Sequence, residues 1–181
     1  LGGGEGSDPD FAPDISLAHG ESVETSAGAI TALHTPGHFG NHLCFAWKDA
    51  LFSGDHVMGW ASTLVSPPDG DLTDFMRSCR MLVERNDRIY YPGHGAAITN
   101  PKHRVDWLIK HRQLREQQIV EALKTASATA RELTASIYVD VEQHLWPAAE
   151  RNVLAHLIDL TSRSLVAPES TLSSSSKFKL I

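Results

Sequence analysis

Three short strings constrain the fold of this chain more than anything else in its sequence: His34-Thr35-Pro36-Gly37-His38, Ser53-Gly54-Asp55-His56 and Pro92-Gly93-His94-Gly95. Each stands where an apolar, β-type run gives way to a glycine turn. The runs are Ala27 to Leu33, Ala50 to Ser53 and Arg88 to Tyr91, and a further run from His42 to Trp47 pairs with the second across Lys48-Asp49. Strands hold side chains in fixed positions, and glycine lets the backbone turn tightly enough for groups at neighbouring strand ends to converge. The groups brought together are imidazoles and a carboxylate, which suit zinc, iron or manganese. Taken singly each string carries little weight, because ten histidines in 181 residues often fall near glycines.

The remaining pattern supplies the layers around such a sheet. After the loop Ser66-Pro67-Pro68-Asp69-Gly70, Asp71 reads as the N-cap of a helix with Leu72, Phe75, Met76, Cys79, Leu82 and Val83 on its buried face. The order strand, turn, helix, strand is an α/β pattern in which helices cover a sheet. From Pro101 the texture changes to charged helical sequence through about residue 124. Thr129-Ala130-Arg131-Glu132 has the capping-box form and opens a second helix to about Tyr138. A third starts near Trp146-Pro147 with Val153, Leu154, Leu157 and Leu160 on one side, and residues 164–181 allow a hairpin. Residues 1–15, rich in Gly, Pro and Asp, read as loop or tail. A domain boundary is expected near Asn100-Pro101, giving units at 1–100 and 101–181.

The strings taken together, in this order, resemble the later metal-binding motifs of the metallo-β-lactamase superfamily. LFSGDHVMGW (51–60), VSPPDGDL (65–72) and YYPGHGAAI (90–98) extend the likeness, which covers roughly residues 27–165 and is greatest to the subgroup of glyoxalase II-like and β-lactamase-like protein 2-type hydrolases. The TARELTASIY stretch (129–138) is similar to the winged-helix-like domain that follows the catalytic domain in that subgroup. The resemblance implies an α+β chain: the C-terminal part of a four-layer αββα sandwich, then a small helical winged-helix-like domain. It implies that His38 serves a first metal, Asp55 bridges both metals and is catalytic, and His94 serves a second. It implies two zinc ions, with iron or manganese as alternatives, and a metal-bound hydroxide attacking a thioester, ester, lactone or phosphodiester.

One departure bears on all of this. The superfamily's earlier HxHxDH motif, which supplies further ligands to both metals, does not occur in these 181 residues. Catalytic sites usually have at least three protein ligands per metal, so the chain alone is expected to hold metal weakly and to be inactive as a fragment. Loss of the partner sheet is expected to expose an apolar face. The non-Met first residue and the intact later motifs point to further sequence before Leu1. A smaller departure, Phe39-Gly40-Asn41-His42 after the first string, blocks transfer of substrate-loop details.

Composition narrows the partners. With 41% hydrophobic and 21% charged residues the chain reads as a soluble globular protein, and no apolar run is long enough for a membrane span. Cys44 and Cys79 sit in apolar stretches without CxxC spacing, so buried free thiols in a reducing compartment, the cytoplasm, are expected. Residues 1–100 hold 5 Lys and Arg against 13 Asp and Glu, and 101–181 hold 11 against 9. That balance, and a third helix carrying Glu150, Arg151, His156 and Asp159, favours a small ester or thioester substrate over RNA. The rival readings are a non-catalytic interaction or nucleic-acid-binding module with a vestigial metal half-site, and a structural zinc protein. The latter is disfavoured because neither cysteine lies near the histidine motifs. Among the other histidines, His34, His42 and His56 flank the ligands, with His56 pointing away. His103, His111, His144 and His156 are expected to face solvent or cap helices.

Overall fold

A computed structural model describes residues 10–181, so most of the loop or tail expected at residues 1–15 lies outside the described residues, while 10–15 form neither helix nor strand. The first half is one mixed sheet in the order β1-β2-β3-β4-β5, with β1 at Ser22–Thr25, β2 at Gly28–His34, β3 at Leu43–Trp47, β4 at Ala50–Gly54 and β5 at Ile89–Pro92. The first four strands are antiparallel neighbours. The β4–β5 pair is parallel, because the chain crosses over through helix α1, Leu72–Val83. β1, which the sequence pattern does not announce, is an edge strand with mostly exposed residues.

The two faces of the sheet differ. Leu33, Cys44, Leu51 and Tyr90 point to one side and pack with Phe75, Cys79 and Leu82 of α1. On the other side Ala32, Phe45, Phe52 and Tyr91 form a row across four strands by their register. Phe52 and Tyr91 stack at 5.5 Å and are 42% and 41% exposed, so this face is open where β4 and β5 adjoin. Asp71 caps α1 by accepting from the Asp74 amide at 2.8 Å. Both cysteines are buried free thiols, and burial pushes each up to about 12.

The second half is helical. Helix α2, Pro101–Leu123, runs through both hydrophobic clusters, with Val105 and Leu108 in the first and Ile119 and Leu123 in the second. Helix α3, Ala130–Ile137, starts at the Thr129–Glu132 capping box, with both reciprocal bonds formed. After a short 3-10 turn comes α4, Trp146–Ser162, and then an antiparallel hairpin of β6, Val166–Pro168, and β7, Phe178–Leu180. Phe178 closes the second cluster. Among the described residues no helix is long and apolar enough to cross a membrane.

The loop between β4 and α1 is held by two helices of the second half. Arg104 of α2 donates to the carbonyls of Met58 and Ala61, each at 2.6 Å. Arg112, fully buried, donates to the Thr63 carbonyl and, at 3.0 Å, to Asn152 Oδ1 of α4, which also accepts from the Val65 amide at 3.0 Å. A buried guanidinium is costly unless its donors are matched; here both terminal nitrogens are bonded while Nε is not, and the contacts fix loop, α2 and α4 against one another.

Candidate metal centre

The strand ends carry the expected groups to one edge of the sheet. β4 and β5 end side by side, joined by the Gly93 amide donating to the Gly54 carbonyl at 2.9 Å. A Cβ at Gly93 would lie 2.8 Å from Asp55 Oδ1, so only glycine lets β5 turn this close to the carboxylate. His94 then reaches Asp55 directly, Nδ1 to Oδ1 at 2.7 Å, in a half-open setting where Asp55 is 30% and His94 70% exposed.

His38 arrives from the end of β2. Gly37, at φ +138°, carries the chain so close to α1 that a Cβ there would sit 2.3 Å from the Phe75 Cα. The His38 ring is then aimed by the loop: Nδ1 donates to the Leu64 carbonyl at 2.7 Å, so in the neutral ring Nε2 is the nitrogen with a lone pair to offer. Leu64 lies between Thr63 and Val65, the residues held by Arg112 and Asn152. The helical half therefore orients a side chain of the sheet half.

Two of the flanking histidines have other tasks, and the third lies close to the site. His34 is exposed and donates Nε2 to the Gly40 carbonyl at 3.0 Å. His56, beside Asp55 in sequence, turns into the core against Phe75 and Cys79, and burial holds its imidazole down at about 3. His42 lies nearer the candidate ligands. Its Nδ1 donates to Thr35 Oγ1 at 2.9 Å, because that hydroxyl gives its own proton to Cys44 Sγ. Burial, and then neighbouring His38, hold it at about 4, and its ring lies 6.3 Å from that of His38. Its approach depends on Gly54, where a Cβ would meet His42 Nε2 at 2.6 Å.

In kind, this donor set suits a divalent cation: a carboxylate, an exposed imidazole beside it, and a second imidazole with one nitrogen oriented and the other bare. In number it falls short, since among the described residues no three His, Cys, Asp or Glu side chains are gathered closely enough to hold an ion. The Leu64 contact, between residues far apart in sequence, has no signature in the sequence motifs.

The helical histidines include a correction. His103 and His144 are exposed, and His111 stacks on Trp107 at 4.9 Å. His156, expected to face solvent, is instead 1% exposed, because α4 buries the stripe Ala149, Asn152, Val153, His156, Leu157 and Leu160.

Known proteins resemble the chain in both halves. Residues 3–94 match the model of the metallo-beta-lactamase superfamily, and residues 129–174 match the beta-lactamase-associated winged helix domain. A beta-lactamase-like protein 2 homolog of Drosophila melanogaster is 31% identical over 84% of this chain and 54% of its own length. An atrochrysone carboxyl ACP thioesterase of Aspergillus fumigatus is 35% identical over 67% of this chain and 39% of its own. The crystal structure of a metallo-beta-lactamase family protein from Thermus thermophilus superposes with a TM-score of 0.77 at 26% identity, covering 94% of this chain and 55% of that one. The chain thus spans about half the length of these relatives or less.

Proposed function

Since the chain belongs to the metallo-β-lactamase superfamily and carries that superfamily's associated winged helix at its C-terminal end, we propose that it forms the later half of a metal-dependent hydrolase site acting on a thioester or other small ester. The observation that supports this most directly is the Asp55–His94 contact of 2.7 Å at adjoining strand ends. In this reading Asp55 is shared between two metal positions, His94 serves one of them and His38 the other. Zinc is the metal favoured by the nitrogen and oxygen donors, with iron or manganese compatible. The chemistry that such ions supply when bound is a water of lowered pKa and positive charge for the developing oxyanion.

The protein's own part is orientation. The Leu64 carbonyl fixes the His38 tautomer, Gly93 admits the Asp55 carboxylate to the β5 turn, and the buried side of the site is closed by Thr35 and His42. A complete site needs donors that these 181 residues do not contain, and on this reading the chain alone is a weak binder and a poor catalyst. The hydrolase reading is favoured over a nucleic-acid module by α4, whose Asp159 accepts from Thr73 at 2.6 Å and pairs with Arg163, and whose Asn152 is committed to the core loop. The thioesterase name of one relative leans the substrate toward thioesters. The reducing-compartment reading of the buried thiols goes with a cytoplasmic location.

The test is metal content by elemental analysis after dialysis, with hydrolysis of a generic thioester, on a form of the protein that includes an HxHxDH segment and on the 181-residue chain. The longer form is expected to hold about two metals and turn over, and the short chain to do neither. In the longer form Asp55→Ala should lose both metals, and His94→Ala about one. Full metal content and turnover in either variant would remove that residue from the site.

A further inference from the structure

Two cavities adjoin at Pro67 and Pro68, and one of them reaches His38. One, of about 370 Å³, is lined by His38, Phe39, Leu64, Pro67, Pro68 and Leu154, among others. The other, of about 390 Å³, continues along α4 between Leu72, Ala155, Ile158 and Leu172. Pro67, Pro68, Leu154 and Ser174 line both, so the two make one groove that begins at a candidate metal ligand and ends on the helical half. Each part has the size of a preformed ligand site.

Both parts are lined more by apolar than by polar surface, and only one of them reaches His38. Near His38 the walls include Ser66 and Arg151, 3.4 Å apart, and Asp69. Farther on, the carboxylates that border the groove are already engaged: Asp71 caps α1, and Asp159 is bonded to Thr73 and Arg163. What remains for an occupant at that end is chiefly the apolar surface of Leu72, Leu154, Ile158 and Leu172. A molecule whose reacting head sits at His38 therefore has an apolar tail to place in the rest of the groove.

Resting on the reading of His38 as a metal ligand, we propose that the groove is the acyl-binding site, taking an unbranched aliphatic acyl group. Its carbonyl end lies at His38, and its tail runs past Pro67-Pro68 along α4 to Leu172. The helical half then sets chain-length preference, since Leu154, Ile158 and Leu172 all belong to it. A fully buried methylene strengthens binding about fourfold, so partial burial of a long tail still separates long from short acyl groups.

Carboxylates serve as probes that need neither metal nor turnover. Calorimetric titration of the 181-residue chain with decanoate and with butanoate is expected to show decanoate binding at least about tenfold tighter. Leu172→Asp places a charge at the far end, and Ser174→Trp fills the junction of the two cavities. Both positions are exposed, and circular dichroism checks that each variant folds. Each is expected to abolish the preference for decanoate. Equal affinity for the two acids overturns the proposal, as does a preference surviving in both variants, which would place the chain elsewhere, such as on the Phe52–Tyr91 face. Metal content of a His38→Ala variant of the form with the HxHxDH segment tests the His38 reading separately, so failure of one is not mistaken for failure of the other.

Discussion

His156 is fully buried where α4 faces α1 and α2, and neither ring nitrogen has a hydrogen-bond partner among the described residues. Burial first, and then the positive field of Arg112 with smaller contributions from His111, Arg163 and Arg115, hold it at about 3 against an ordinary 6.5. Between those values the unfolded chain takes up a proton that the folded chain refuses. The associated stability is therefore complete above about 6.5 and is lost as pH falls toward 3, by at most about 1.4 kcal/mol per pH unit. His42 and His56, lowered for the same reason, act in the same direction. Urea unfolding at a series of pH values should show stability falling below about pH 6.5, and His156→Leu should reduce that slope by up to about one proton. An unchanged slope would mean that the imidazole is not buried. The sequence carried a signal for this residue: His156 is three positions from Val153 and four from Leu160, on the stripe that identifies the buried face of α4. A histidine read by itself looks like surface; read with its helix, it is core. His38, Asp55 and His94 were visible as strings because strand ends and glycine turns are local. Their mutual distances depend on the β4–β5 register and on a loop carbonyl, which no local pattern encodes.

Helices with local stop and start signals were the most legible elements. The Thr129–Glu132 box and the Asp71 cap formed as their side chains dictate, and α2 begins at Pro101, where the missing amide costs nothing. The terminal hairpin was only weakly written, since β6 and β7 are three residues each and depend on Phe178 reaching the helical core. β1 escaped notice because an edge strand with exposed residues lacks the apolar alternation that announces a strand. Least legible was the joint between the halves, made by Arg112, Asn152 and the backbone at Thr63 and Val65. Asn152→Ala would leave the Val65 amide and part of a buried guanidinium without partners, a loss of about 2 to 3 kcal/mol. The same change in an exposed cap such as Thr129→Ala costs about 1 kcal/mol. Parallel urea unfolding of the two variants tests the order. Similar losses would mean that the buried network contributes no more than a surface cap.

For the whole molecule, one face of the sheet is sealed by α1 and the other is open at β4 and β5. Leu33, Cys44, Leu51 and Tyr90 are sealed by α1, while the row Phe45, Phe52 and Tyr91 opposite them has two rings more than two-fifths exposed and stacked on each other. A row of aromatic side chains across adjacent strands is a surface that proteins ordinarily bury, and water drives such surfaces together. The four-layer αββα arrangement that the family resemblance implies would set a second sheet on this face, and the open row would then be a property of the chain taken by itself. Sedimentation velocity of the 181-residue chain should therefore show association that increases with concentration. Phe52→Ser with Tyr91→Ser should return it to a monomer, because both side chains point away from the α1 core and their loss leaves no cavity in it. A form extended so that a second sheet covers this face should be monomeric through it without any substitution. If instead the short chain stays monomeric at high concentration while folded, the Phe52–Tyr91 stack satisfies its own surface, and the unpaired face would not be what drives the halves of this fold together.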